Sequence, residues 1–296
     1  MKPPPFDYLS PKDFGGALEA AAKHGGEAKL LAGGQSLVPA MNFRVTQPSL
    51  LIDLNRVPDL DYVRPDGSGG LLVGAMTRHR KLEFDPAVKQ AAPLLSEAIP
   101  FIAHAQIRNR GTLGGSLAHA DPAAELPVLA LALEARLRAV SLRGERWIEA
   151  ADFFQGMFTT ALAPDEILRE VAFPAMTAGT GWAFEEFARR RGDYALMGVA
   201  CLMHIDAAGR CDRARLVFLN AGDGPVLADE GAAILLGSPV SAETAREAAR
   251  HASEKEIQPL GNLHATPEFQ RHLARVLAQR AILSAVGRAR PAPKAA

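Results

Sequence analysis

Cysteine is nearly absent from this chain: Cys201 and Cys211 are the two among 296 residues. Two thiols cannot build a disulfide framework, a four-thiolate zinc site or an iron–sulfur cluster. Long apolar runs are missing too. Nowhere do about eighteen uncharged apolar residues follow one another, so no membrane span is expected, and the thiol count leaves no metal centre to expect. Charge of one sign is also missing, because Lys plus Arg and Asp plus Glu both count 33. A balanced chain has no bulk attraction for nucleic acid or for an acidic partner, and its recognition is expected to be local. These absences leave a soluble cytoplasmic protein as the expectation. With 48% hydrophobic residues, the chain can bury the core of one large or two ordinary domains.

Glycine is present in two places that matter, Leu31-Ala32-Gly33-Gly34-Gln35-Ser36-Leu37 and Gly111-Thr112-Leu113-Gly114-Gly115-Ser116, about eighty residues apart. Paired glycines remove the Cβ atoms that hold a ligand off the main chain, and they allow the positive φ that aims successive N–H groups at one spot. Ser36, Thr112 and Ser116 add hydroxyls, and Gln35 adds an amide. The two segments are therefore expected to grip the phosphates of a dinucleotide from opposite sides. Gly33-Gly34 alone would read as an ordinary tight turn; the second segment of related chemistry changes that reading.

Ser10-Pro11-Lys12-Asp13 predicts a helix start with Ser10 as cap, and the helix ends at Gly25-Gly26. Residues 29–32 predict a strand into the first glycine segment, with a helix or tight turn over 37–44. Further strands are predicted around 62–63 and at 50–53, 70–74, 136–142 and 167–173, with helices over 78–84, 87–99 and 123–133. Small residues from Met176 to Gly181 predict a linker. Beyond it the pattern predicts strands at 182–189, 195–205 and 213–219, then helices over 226–236, 242–254 and 266–286. Strands followed by helices argue for a small α+β domain. The tail from 289 to 296 is expected to be disordered.

The run from Ala105 to Pro127, which contains the second glycine segment and continues through His119, Asp121 and Glu125, is long and idiosyncratic. It resembles the FAD-binding medium subunit of molybdenum hydroxylases, the family of aerobic carbon monoxide dehydrogenase and xanthine dehydrogenase. Ala32 to Pro39, Leu51-Ile52-Asp53-Leu54 and Gly192-Asp193-Tyr194-Ala195 resemble the same family, in the same order. The resemblance implies an α+β chain: a two-lobed FAD domain of the vanillyl-alcohol oxidase (PCMH) type over 1–176, with lobes of about 1–57 and 58–176. A C-terminal domain over 177–288, with a three-stranded antiparallel sheet and a helical bundle, would follow. It implies noncovalent FAD held by Ala32, Gly33, Gly34, Gln35, Ser36 and Leu37 and by Thr112, Leu113, Gly114, Gly115 and Ser116. Ile102, Glu125 and Leu168 would lie nearer the ribityl chain and ring, and Tyr194 beside the ring. Relatives often carry a lysine near the flavin where this chain has Phe184-Glu185-Glu186-Phe187, so Glu186 would reverse the charge there.

No acid–base pair stands beside a recognisable substrate pocket, so no catalytic residue is assigned and electrons are expected from outside the chain. The resemblance implies a small subunit with [2Fe–2S] centres and a large molybdopterin subunit, assembled as a dimer of heterotrimers. A self-sufficient flavin oxidase and a degenerate scaffold are the other readings. His104 and His119 read as structural histidines or as flavin anchor or base. Asp121 reads as a helix cap or a ligand contact, and Arg108 and Arg110 as phosphate or partner contacts. Arg189-Arg190-Arg191 reads as a solvated or partner-facing run, and Cys201 as a core residue.

Overall fold

The computed structural model describes residues 2–289, so the expected tail lies, from 290 onward, outside the described residues. Three short strands form the first sheet: β1 (Asp7–Leu9), β2 (Ala28–Leu31) and β3 (Leu50–Asp53), parallel and in the order β1-β3-β2. The central strand β3 is buried at every position, its Leu50-Leu51-Ile52 run packing in the core and Asp53 at its end buried as well. Helix α1 (Phe14–His24) joins the first two strands, and α2 (Leu37–Asn42) follows the first glycine segment. The cap of α1 is Asp13, whose carboxylate accepts the Gly16 N–H at 2.8 Å, and not the expected Ser10. The helix starts at Phe14, so Asp13 stands in the cap position and reaches the amide of the third helical residue.

The second sheet is antiparallel and has the order β4-β5-β10-β6-β7. Its first strands are β4 (Val63–Pro65) and β5 (Leu71–Gly74). Helices α3 (His79–Phe84), α4 (Pro86–Ala91), α5 (Pro93–Ala98), α6 (Ala105–Arg108), α7 (Leu113–His119) and α8 (Glu125–Ala132) come next. The single helix expected over 87–99 is broken at Ala92, because Pro93 has no N–H to continue it. Every residue of α8 is buried, which explains its apolar character on all sides. The remaining elements are β6 (Arg136–Ser141), β7 (Gly144–Glu149), α9 (Ala150–Phe153), the hairpin β8 (Phe154–Gly156) and β9 (Thr159–Thr160), and β10 (Ile167–Phe173).

After an irregular stretch over 174–179 comes an antiparallel sheet of β11 (Thr180–Phe187), β12 (Met197–Ile205), β13 (Cys211–Leu219) and β14 (Val226–Leu227). This sheet has four strands, not the expected three. Val226 and Leu227 pair with Phe218 and Val217 at its edge, so the helix expected from 226 starts later, as α10 (Asp229–Ala233). The Glu256 carboxylate accepts the N–H groups of Glu230 and Gly231 at 2.8 and 2.7 Å and so caps that helix. Helices α11 (Ala242–His251) and α12 (Pro267–Arg288) cover one face of the sheet. Residues on its other face, among them Phe184, Ala200 and Val217, join the core built on α8 and the five-stranded sheet.

Candidate functional site

Both glycine segments sit where an element begins. The first leaves β2 and enters α2; the second caps and opens α7. Positive φ occurs at Gly34, at 75°, and not at Gly33, Gly111, Gly114 or Gly115, where paired glycines led us to expect it. Those four are glycine because neighbouring atoms lie too close: backbone at Gly33 and Gly114, the His79 ring at Gly111 and the Thr112 hydroxyl at Gly115. A Cβ on Gly33 would stand 2.5 Å from the Arg110 carbonyl oxygen and 2.8 Å from the Gly111 Cα. From the other side, a Cβ on Gly115 would lie 3.3 Å from the Ala32 Cβ. Stretches remote in sequence thus meet main chain to main chain.

The two segments differ in what they offer. The N–H groups of Gly33, Gly34, Gln35 and Ser36 make no backbone hydrogen bond among the described residues, and the Ser36 hydroxyl makes no capping bond. Gln35 turns its amide back onto the Gly33 carbonyl at 3.0 Å. In the second segment, Leu113 donates to Thr77 O at 3.0 Å, Gly114 to Ala75 O at 2.8 Å and Gly115 to Thr112 Oγ1 at 3.1 Å. The expected N–H cradle is therefore found in the first segment alone. The second supplies a Cβ-free floor with the Thr112 and Ser116 hydroxyls, because its amides are already tied to the end of β5 and to its own cap.

A hydrogen-bonded brace holds the segments together, and sequence reasoning missed most of it. Asn55 donates through Nδ2 to Ala32 O at 2.8 Å, and its Oδ1 accepts from Arg78 at 2.6 Å. The other terminal nitrogen of Arg78 donates to Arg110 O. Asp53 anchors Asn55, accepting its N–H at 2.8 Å and the Tyr8 hydroxyl at 2.5 Å. Burial opposes ionisation of Asp53, but these hydrogen bonds hold its carboxyl below the usual range. Asp53 was visible in a sequence motif. Arg78 gave no signal, since its partners are a carbonyl 32 residues away and an amide side chain.

Beside the brace, the buried His79 ring packs on Gly111, where a Cβ would fall 2.8 Å from Cε1. Among the described residues neither ring nitrogen has a hydrogen-bond partner, and burial pushes the imidazole down to about 4, so it is neutral. Arg108 is committed within the chain: it pairs with Glu83 at 2.9 Å and donates to Ile102 O and Ala103 O at 3.0 and 3.1 Å. Neither a phosphate nor a partner role is left for it. The Arg110 side chain is exposed.

The third motif packs onto the approach to the second segment. Gly192 has φ 89°, and a Cβ there would collide with the His104 ring. Ile102, Leu113 and Leu168 are buried in one core cluster, as an apolar wall requires. Tyr194 is not part of that wall; the residue is 69% exposed. Glu125 is buried at the start of α8, and Glu186 Oε2 is sealed from solvent without a partner. Burial raises the pKa of both carboxyls, and each feels a nearby acid.

Asp121 accepts the Ala123 N–H at 2.9 Å and thus serves as a local cap. His119 lies against Phe158, with ring centroids 5.1 Å apart. Arg189 forms an exposed pair with Asp193, and Cys201 is wholly buried, its thiol pushed up by burial. A cavity of about 50 Å³ beside Glu134, Met176 and Arg215 shares no residue with either glycine segment. Among the described residues, no cluster of His, Cys, Asp or Glu could hold a metal ion, and no helix is long and apolar enough to cross a membrane.

A diphosphate suits the chemistry where the segments meet: free amides on one side, glycine floor and hydroxyls on the other. Comparison with known proteins agrees. The FAD binding domain in molybdopterin dehydrogenase matches residues 4–176, and the CO dehydrogenase flavoprotein C-terminal domain matches residues 182–285. The 6-hydroxypseudooxynicotine dehydrogenase complex subunit alpha of Paenarthrobacter nicotinovorans is 44% identical over 98% of both chains. The carbon monoxide dehydrogenase medium chain of Hydrogenophaga pseudoflava is 37% identical over 97% of this chain and 99% of that one. A solved carbon monoxide dehydrogenase from the same organism, lacking the Mo-pyranopterin moiety of its molybdenum cofactor, superposes with a TM-score of 0.94 at 38% identity, over 98% of this chain and 100% of that one.

Proposed function

The chain belongs to the family of FAD-binding flavoprotein subunits of molybdopterin dehydrogenases, and from that premise we propose that it seats one noncovalent FAD between its two glycine segments. The observation that carries this reading is the contact of Gly33 with Arg110 and Gly111, which closes two remote segments around one place. There the free amides of residues 33–36, with the Ser36, Thr112 and Ser116 hydroxyls, would hold the pyrophosphate. Ala32, Leu37, Leu113, Gly114 and Gly115 would line its passage. Ile102 and Leu168 would exclude water from the far end, Glu125 and Glu186 would face the ribityl chain or ring, and Tyr194 would close over it. FAD supplies the ability to take up electrons singly and release them in pairs.

The protein is the FAD subunit of a molybdopterin-dependent oxidoreductase complex, and its relatives are subunits of multi-subunit complexes. We propose that its partners are a small [2Fe–2S] subunit and a large molybdopterin subunit, in a cytoplasmic dimer of heterotrimers. With two buried thiols and no candidate metal cluster among the described residues, the chain has no relay of its own to bring electrons in. We further propose an FAD domain over 1–176 with lobes of about 1–57 and 58–176, of the PCMH type, and a C-terminal domain over 177–288. Separate parallel and antiparallel sheets on the two sides of residue 57 support the lobes. Co-purification tests the assembly. The expected result is yellow protein carrying iron, molybdenum and two further polypeptides, whose flavin bleaches with the complex's substrate. Anaerobic bleaching of the isolated chain by a small alcohol or amine would instead revive a self-sufficient oxidase.

A further inference from the structure

Among the close approaches at the glycine junction, one is made by a side chain that can change its charge. A Cβ on Gly33 would stand 2.8 Å from the Gly111 Cα, and a Cβ on Gly111 would stand 2.8 Å from both Cε1 and Nδ1 of His79. Gly33, Gly111 and the His79 ring therefore lie in successive contact. Main chain ties them further: the His79 N–H donates to Gly111 O and the Leu113 N–H to Thr77 O, each at 3.0 Å, with Arg78 and Thr112 bridged between them. Moving the ring disturbs the second segment.

His79 is 5% exposed, and among the described residues neither ring nitrogen finds a hydrogen-bond partner. Leucine of similar bulk would fill that space without leaving polar atoms dry, so packing alone does not account for a histidine there. What histidine adds is a place for a proton. Burial opposes a charge on the ring most, Arg108 on α6 and the neighbouring Arg78 oppose it as well, and the Thr112 main chain alone favours one. No carboxylate on the elements around it is free to answer that charge. Glu83 on α3 is held by Arg108 and Arg80, and Lys81 is paired with Asp61. Glu97 on α5 is held by Trp182 and Arg288, Asp85 caps α4, and Lys89 on α4 is exposed. The turn Ile99–Phe101, which also packs on α3, carries no charge.

We propose that His79 is a positioning residue of the flavin site: acting through Gly111, its ring holds the second glycine segment against the first, and a proton added to the ring frees that segment and with it the cofactor. The inference rests on the FAD reading above. A charged imidazole carries two N–H donors into a dry space between two arginines, and it gains most by turning out to water. That movement withdraws the support from Gly111.

The test is FAD release from the loaded chain, followed by the flavin fluorescence after dilution. Between about pH 7 and about pH 4.5, release from the parent chain should quicken about threefold or more. In His79→Leu, which keeps the bulk and removes the place for the proton, the two ends of the range should release FAD at nearly equal rates. His79→Ala, which empties the space against Gly111, should release FAD faster than His79→Leu at neutral pH. Equal acceleration in the parent chain and His79→Leu overturns the proposal, and so does equal release from His79→Ala and His79→Leu. Nitrogen NMR of the FAD-free chain reads the ring by itself: one imidazole, absent from His79→Leu, should stay neutral well below the ordinary histidine range, and titration at an ordinary value overturns the proposal whether or not FAD binds. A folded chain whose His79 ring stays neutral but which takes up no FAD overturns the cofactor reading instead. Circular dichroism of each variant at each pH reports whether it is folded.

Discussion

A single methyl group at Gly33 has nowhere to go, since Arg110 O would lie 2.5 Å from it. Overpacking against backbone costs about 1–3 kcal/mol, so Gly33→Ala should weaken FAD binding by roughly tenfold to a hundredfold. Gly26→Ala is the control, because nothing lies within 4 Å of a Cβ there. Flavin fluorescence titration of both variants reads the difference, and equal affinities would contradict the role given to Gly33. His79 makes a pH prediction. The unfolded chain binds a proton near pH 6.5, whereas the folded imidazole resists until about 4, so protonation favours unfolding. Its contribution is intact above about pH 6.5 and is lost as pH falls toward 4, by up to roughly 3 kcal/mol. Urea unfolding at pH 7 and pH 4.5 should show a smaller loss in His79→Leu than in the parent chain. Glu125 and Glu186 have the opposite sign. Both carboxyls titrate above their unfolded values, so the FAD-free fold loses stability as pH rises, and Glu186→Gln should raise the melting temperature at pH 8 more than at pH 5.

Between elements, the brace from β3 to α3 carries the geometry. Arg78→Met would leave the Asn55 Oδ1 and the Arg110 carbonyl without their shared donor, at about 1–3 kcal/mol. The expected outcome is a lower melting temperature with a weakened FAD affinity, whereas an unchanged affinity would show that the segments hold their spacing unaided. Elements of this kind were the least legible in the sequence. Glycine pairs announce close approach but not its cause, so Gly33 and Gly115 were found while their conformation was misjudged. The amide of Gly114 looked free because its acceptor, Ala75 O, is known only once α7 meets the end of β5, and that of Gly115 looked free because the Thr112 cap was not read from the sequence. Strand β10 was found from an alternation that the structure does not keep, since six of its seven residues are buried and its register shifts between Leu168 and Glu170. Short edge strands such as β1 and β14 have too few residues for any period, and they exist because a neighbouring strand offers hydrogen bonds.

Over the whole molecule, three separated motifs converge: the Gly33 segment on Gly111 and Gly115, and Gly192 on His104 just before them. Their order and spacing carried the family resemblance, so the functional class was legible before the fold was known. The partner charges, the neutral His79 and the unpaired Glu186 were not, because burial is a property of the folded chain. The account depends on FAD lying across the junction of the two glycine segments. A crystal structure of the chain with FAD tests that most directly. The account predicts the pyrophosphate against the amides of residues 33–36, with Thr112 and Ser116 on its other side. A dinucleotide bound elsewhere, with those amides facing solvent, would contradict it.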